Sequence, residues 1–310
     1  MSILPTIRTP QEFVNAIPFL IGFHPQDSIV AVVVTGGLLQ LSARCDIAYL
    51  ETDDSGWVLD KLTSFEGENT RIFLAGFAEH SQAKMALEKI MRLKPRMISE
   101  AIVVDRDQWW FVDEPIGVPG RSLMAPDMVS EILGHRSQVL SSREELVASV
   151  AAPVGEKEDR MLGAIPDIVE AIDSDPVEAG KKVVLAMHSW SEGSQIVDEG
   201  LLEAAMVMSM GSARDQLWTT MTNDKARQYL GFWQEVLRVT PTGVRVPALT
   251  VAGMMAWIAG NGALMNICLQ EAETTDPHFP LVGILRQISQ GCIHPQTWSK
   301  VESMVAVPAA

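Results

Sequence analysis

The sequence predicts an α/β fold class: an N-terminal mixed-sheet α/β sandwich over residues 1–153, followed by an all-helical domain over 154–310. Three observations predict it. Strand-like apolar runs joined by tight turns alternate with helical patterns in the first part and stop after Ala125. Helical periodicity fills the rest. Between them Ala151-Ala152-Pro153-Val154-Gly155 breaks the chain and marks the domain boundary. A chain of 310 residues is long for one core and comfortable for two.

The elements follow in order. Thr9-Pro10-Gln11-Glu12 reads as an N-cap with proline at the first helical position, opening a short helix that ends before Pro18. Gly22-Phe23-His24-Pro25-Gln26-Asp27-Ser28 is a polar, turn-forming loop. Ile29–Val34 is a continuous β-branched run, the signature of a strand covered on both faces. Gly36-Gly37 turns the chain into a second strand, Leu38–Ile47, whose alternation of Leu39, Leu41, Ala43 and Cys45 with Gln40, Ser42 and Arg44 leaves it half exposed. A helix over Trp57–Phe65, a strand at Arg71–Phe77, a helix over Ser81–Met91 and a strand at Ile98–Val104 come next. Asp105-Arg106-Asp107-Gln108 then turns into a partner strand, Trp109–Val112, and a Pro/Gly-rich ordered loop spans Pro115–Pro126. A parallel pair is expected wherever a helix intervenes. Short helices at Asp127–Leu133 and Ser142–Val150 lead to helical stretches at 157–172, 176–190, 198–219, 223–238, 247–258, 261–274 and 279–290. Among these, Gly253, Ala272 and Pro277 fall at the small, small and proline positions of a tetratricopeptide repeat, so a tetratricopeptide-like helical hairpin is expected there, without a run of three or more units.

Composition narrows the function classes. Hydrophobic residues make up 47% and charged residues 20% of the chain, which is enough apolar mass for a sizeable core. The net charge is −15 and is spread evenly: 13 Lys/Arg against 20 Asp/Glu through Pro153, and 11 against 19 after it. Binding to a nucleic acid duplex needs clustered cations, so that class is disfavoured. The three cysteines, Cys45, Cys268 and Cys292, include no CxxC, and Cys45 and Cys268 sit in apolar patterns as small buried hydrophobes. The opening MSILPTIRTPQEF lacks a basic region followed by an apolar core, and no apolar run reaches the ~18 residues of a membrane span. A cytoplasmic protein without a membrane partner is the expectation.

The candidate ligand-binding residues are His24, Asp27, Ser28, Arg44, Asp46 and Trp110. A tight hairpin brings the start of the first strand against the end of the second, so His24, Asp27 and Ser28 meet Arg44 and Asp46 there. A histidine beside a carboxylate suits general base work, and an arginine suits bidentate recognition of an anion. The structural alternative has Asp27 and Ser28 capping backbone amides while Arg44 pairs with a carboxylate to hold the hairpin in register. Trp109-Trp110 offers a stacking platform for a base, although adjacent tryptophans on a strand face opposite sides, which places one in the core and the other under the Pro115–Gly120 loop. No HExxH or comparable ligand set is present, so neither a metal nor a cofactor is expected.

Several blocks resemble a known family. GFHPQDSIV near the start, the RCD after the first hairpin turn, QWWFV, SREELVASVAAP, AWIAGNGALMNICLQEA and DPHFPLVGILRQISQG run in order and are similar to the domain of unknown function 4192 family of actinobacteria and their phages. Asn261 stands where that family more often has aspartate. The resemblance implies a bacterial or phage cytoplasmic setting and carries no activity. Two functions are therefore expected to compete. One is a non-enzymatic interaction or small-ligand-sensing protein, with the α/β part as platform and the helical part binding a protein partner or a second copy. The other is a hydrolase or transferase acting on a small anionic, nucleotide-like substrate at the His24–Asp46 neighbourhood.

Overall fold

The computed structural model describes residues 9–51, 69–93, 98–125, 139–219 and 221–300. The helices expected at Trp57–Phe65 and Asp127–Leu133 lie outside the described residues. The chain divides into two compact units, Met1–Glu145 and Leu146–Ala310. The sequence break at Pro153 falls within the second of these. Leu146 and Val150 upstream of it are buried, and the Val150 carbonyl accepts a hydrogen bond from Arg245.

Among the described residues the first unit holds a six-stranded mixed sheet. Its strands are β1 (Ser28–Thr35), β2 (Leu38–Asp46), β3 (Thr70–Phe77), β4 (Ile98–Asp105), β5 (Gln108–Phe111) and β6 (Arg121–Ser122), in the order β2-β1-β3-β4-β5-β6. β1 is antiparallel to both neighbours. β3 and β4 are parallel, with helix α2 (His80–Leu93) crossing between them. β4, β5 and β6 follow antiparallel. The two-residue β6 adds a pair to what the sequence shows as loop. Gly36 and Gly37 make the first hairpin turn with φ of 59° and 83°, a left-handed pair that glycine adopts without steric cost.

Both faces of β1 are covered, as its unbroken apolar run requires. On one face Ile29, Ala31 and Val33 pack with Leu74, Leu87 and Val103. α2 lies close enough there that a Cβ on Gly76 would come within 3.2 Å of Ala83 Cβ. On the other face α1 (Pro10–Ile21) brings Phe13 to Phe73, ring centroids 5.3 Å apart. Thr9 caps α1 by accepting from the Glu12 amide at 3.1 Å. The helix does not stop before Pro18. It runs on to Ile21 and ends at Gly22, φ 87°, whose amide bonds to the Pro18 carbonyl. The fixed φ of proline is helical, so although Pro18 lacks one backbone donor and its ring crowds the carbonyl four residues back, burial of Ile17 and Ile21 offsets that cost.

Among its described residues the second unit is all helical: α3 (Arg143–Ala148, begun in the first unit), α4 (Glu156–Ser174), α5 (Pro176–Ser191), α6 (Asp198–Val207), α7 (Gly211–Thr219), α8 (Asn223–Val239), α9 (Val246–Ala259), α10 (Gly262–Thr275) and α11 (Pro280–Gly291). The single helix expected over 198–219 is broken between α6 and α7. Ser209 and Gly211 are weak helix formers, and the amides of Ser209 and Met210 turn back to the Met206 and Val207 carbonyls. α9 is apolar all round and buried from Val246 to Ile258 almost without interruption, which makes it the centre of the unit. α9 and α10 form a helical hairpin. Gly260 ends α9 at φ 86°, and the Asn261 side chain caps α10 by accepting from the Leu264 amide at 3.0 Å. An aspartate would cap equally well, so this position needs an acceptor rather than a charge. A Cβ at Gly253 would stand 2.9 Å from Leu285 Cδ1, so the small residue there allows α11 to close on α9. A helical hairpin stands where the tetratricopeptide spacing placed one; no repeat assignment follows from it.

Candidate functional site

The register of the first hairpin decides what meets at its open end. Ser28 pairs with Asp46 and Val30 with Arg44, so Ser28, Arg44 and Asp46 share the sheet face that α1 also covers. Arg44 Nη2 donates to Asp46 Oδ1 at 2.6 Å and to the Gln26 carbonyl at 3.2 Å. Its guanidinium carbon lies 5.9 Å from the Phe23 ring centroid. The Arg44 side chain is 17% exposed and that of Asp46 62%. Asp27 takes a positive φ of 43°, and its carbonyl receives the Ile47 amide at 2.9 Å, closing the ribbon. His24 is exposed and is tied down through its amide to the Leu140 carbonyl, 2.9 Å away.

Ser28 is fully buried, and its hydroxyl has no hydrogen-bond partner. Arg44 Nε is likewise buried and unpartnered. The structure therefore brings Ser28, Arg44 and Asp46 together and threads the Gln26 and Asp27 backbone through the same place. The Arg44 fork is engaged by Asp46, so an anion would have to displace that carboxylate to be bound bidentately. The Ser28 hydroxyl is out of reach of a substrate in solution.

Trp110 does not belong to this neighbourhood, and as a stacking platform it must be corrected. It faces the opposite side of the sheet, within the core that includes Val103 and Val112. Its indole N–H donates to the Val118 carbonyl at 2.8 Å. The His80 ring stands edge-on at 4.5 Å. A Cβ on Gly120 would fall 2.4 Å from its Cζ2, so the Pro/Gly loop lies directly on the ring. Trp110 is the pedestal of that loop. Arg121 fixes the other end: its guanidinium lies 4.8 Å from the Trp109 ring centroid and forks onto Glu114 at 2.7 and 2.8 Å. Those bonds, with one from the Phe111 amide, hold the Glu114 carboxyl down to about 2.

Two polar groupings in the helical unit escaped the sequence reading. His188 Nδ1 and the Tyr229 hydroxyl are 3.1 Å apart beside a cavity of about 80 Å³ lined also by Val184, Met187, Leu217 and Lys225. Burial pushes the Tyr229 hydroxyl up from its ordinary value. Deeper in, Arg245 is fully buried, with Nη1 3.0 Å from Glu271 Oε1. Beside them Cys268 is enclosed, and its thiol is pushed up to about 12, chiefly by burial. Cys45, expected to be buried in the same way, is only partly so. Neither grouping has a signal in sequence spacing, because His188 and Tyr229 are 41 residues apart and Arg245 meets Glu271 and Cys268 only through the fold. Among the described residues no group of three or more His, Cys, Asp or Glu side chains is placed to hold a metal ion. No described helix is long and apolar enough to cross a membrane.

Comparison with known proteins bears on kinship. A family model described as Domain of unknown function (DUF4192) matches residues 10–296 and so runs through both units. This chain belongs to that family. No curated protein and no solved structure matches it.

Proposed function

We propose that this DUF4192 member acts by binding, in an actinobacterial or phage cytoplasm, with the α/β unit as a rigid platform and the helical unit holding a protein partner or a second copy of the chain. The observation that carries this reading is the outer side of α4. α4 sinks one apolar stripe, with Met161 and Ile172 buried and Ile165 and Ile168 half-buried between them, but it carries further apolar residues outside that stripe. It displays Leu162 (46% exposed), Pro166 and Val169 (36% exposed) to solvent. Residues spaced i, i+4, i+7 lie on one side of a helix, so the three form a stripe rather than scattered exposures. The catalytic alternative draws less from the geometry, because the Ser28 hydroxyl is enclosed and Arg44 is already paired.

The test uses the full chain. A photo-crosslinking residue at position 169 should capture a protein or a second copy in cells, and one at exposed Ser194 should not. A strictly monomeric mass by sedimentation equilibrium, together with no capture at 169 above the Ser194 control, would end the proposal.

A further inference from the structure

We infer that the occupant of the α4 stripe is a basic amphipathic helix of a partner protein, an inference that rests on the binding role just proposed. The apolar stripe spans about 10 Å along the axis, at 1.5 Å per residue from position 162 to 169, which matches two turns of a partner helix. The acids that flank it on α4 stand without a partner among the described residues. Asp159, Glu170 and Asp173 border the stripe on the helical wheel, all are exposed, and none enters an ion pair among the described residues. The two cations of α4 are turned elsewhere. Lys157 lies 3.5 Å from Asp198, and Arg160 pairs with the same carboxylate. The outward face thus presents carboxylates and apolar side chains without compensating charge.

Pro166 adds a third feature. It has no amide hydrogen, so the Leu162 carbonyl loses its helical donor in the middle of the stripe. Unpaired carboxylates beside a carbonyl that lacks its i+4 donor are complementary to Lys or Arg side chains. A second copy of this chain would bring the same acids to the same face. With a net charge of −15 per chain, like charges would meet within a Debye length of ~10 Å, which opposes self-association through this stripe.

The probe is a synthetic 14-residue Leu/Lys amphipathic helix carrying a fluorophore, titrated with the full chain and read by anisotropy at two salt concentrations. The same peptide with every Lys replaced by Glu is the control. The Leu/Lys peptide should bind and the Leu/Glu peptide should not. Leu162→Ser with Val169→Ser should weaken binding at least about tenfold, since each truncation removes an apolar contact from the interface. Asp159→Asn with Glu170→Gln and Asp173→Asn should weaken it and flatten its salt dependence. Asp107→Asn with Asp113→Asn, exposed acids of the α/β unit, should leave it unchanged. Equal loss from the α/β-unit pair, or no loss from the serine pair, would overturn the inference by reducing the binding to general charge attraction. Because the substituted side chains are exposed, circular dichroism should confirm an unchanged fold in each variant. Capture at position 169 with no peptide binding would reject this partner class and leave the binding role standing; failure of both rejects the role itself.

Discussion

Two arginine–glutamate pairs, one in each unit, show how far surroundings govern the same chemistry. Glu114 and Arg121 meet fork to fork at a loop base that water reaches, and the Glu114 carboxyl is held down to about 2, chiefly by the hydrogen bonds from Arg121. Glu271 and Arg245 meet in the helical core, where burial outweighs attraction. There the Glu271 carboxyl is pushed up by desolvation although Arg245 stands beside it, and the Arg245 guanidinium is pushed down for the same reason. The first pair is a surface clasp on a loop. The second ties α9 to α10 and to the Val150 carbonyl at the start of the helical unit.

The comparison breaks most sharply at Arg245. Arg245→Ala leaves Glu271 without its counter-charge and should cost about 3–5 kcal/mol in urea denaturation, whereas Arg245→Met, which fills the same space without a charge, should recover most of that loss. A loss below about 1 kcal/mol for the alanine variant would show that the buried pair contributes no net stability. Next comes the loop that the exposed pair clasps. Gly120→Ala pushes a methyl group into Trp110 and should cost about 1–3 kcal/mol, with a change in near-ultraviolet circular dichroism from the displaced indole.

Acid titration sharpens the contrast, because the two glutamates should respond with opposite sign. The folded value of Glu114 is depressed, so its contribution is present above the unfolded value of about 4.3 and is lost as pH falls toward about 2. The folded value of Glu271 is raised, so its contribution is complete below the unfolded value and is lost as pH rises through the folded one. Glu114→Gln should therefore flatten the acid limb of the stability profile, and Glu271→Gln should flatten the decline on the other side. Parallel changes in the two profiles would refute the assignment. The smallest effect belongs to Arg44. Paired with an exposed Asp46, it should lose at most about 1 kcal/mol on substitution by alanine, and Arg44→Lys should be close to neutral if the pairing is simple charge attraction.

How much of this was legible in the chain depends on how local its cause is. The Thr9 cap, the Gly36-Gly37 turn and the doubly covered β1 all follow from a few adjacent residues, and the structure has them where the pattern puts them. Pro18 misled, because a proline stops a helix only when nothing beyond it gains by burial. The break between Met208 and Gly211 was missed because the apolar pattern continues across it. At the candidate site the approach of Ser28, Arg44 and Asp46 was readable, since hairpin register is a near-neighbour property. That the Ser28 hydroxyl is enclosed was not, because burial is a tertiary property that hairpin register does not carry.

By itself the sequence determined the family, the order of the elements and the division into a sheet-bearing and a helical part, because period, caps and turns act over a few residues. Only the tertiary structure decided that Trp110 is a pedestal rather than a platform, that Arg245 joins Glu271 and Val150, and that α4 keeps an apolar stripe in water. Burial and pairing between distant segments set those outcomes, and a one-dimensional pattern carries the capacity for a contact without naming its partner.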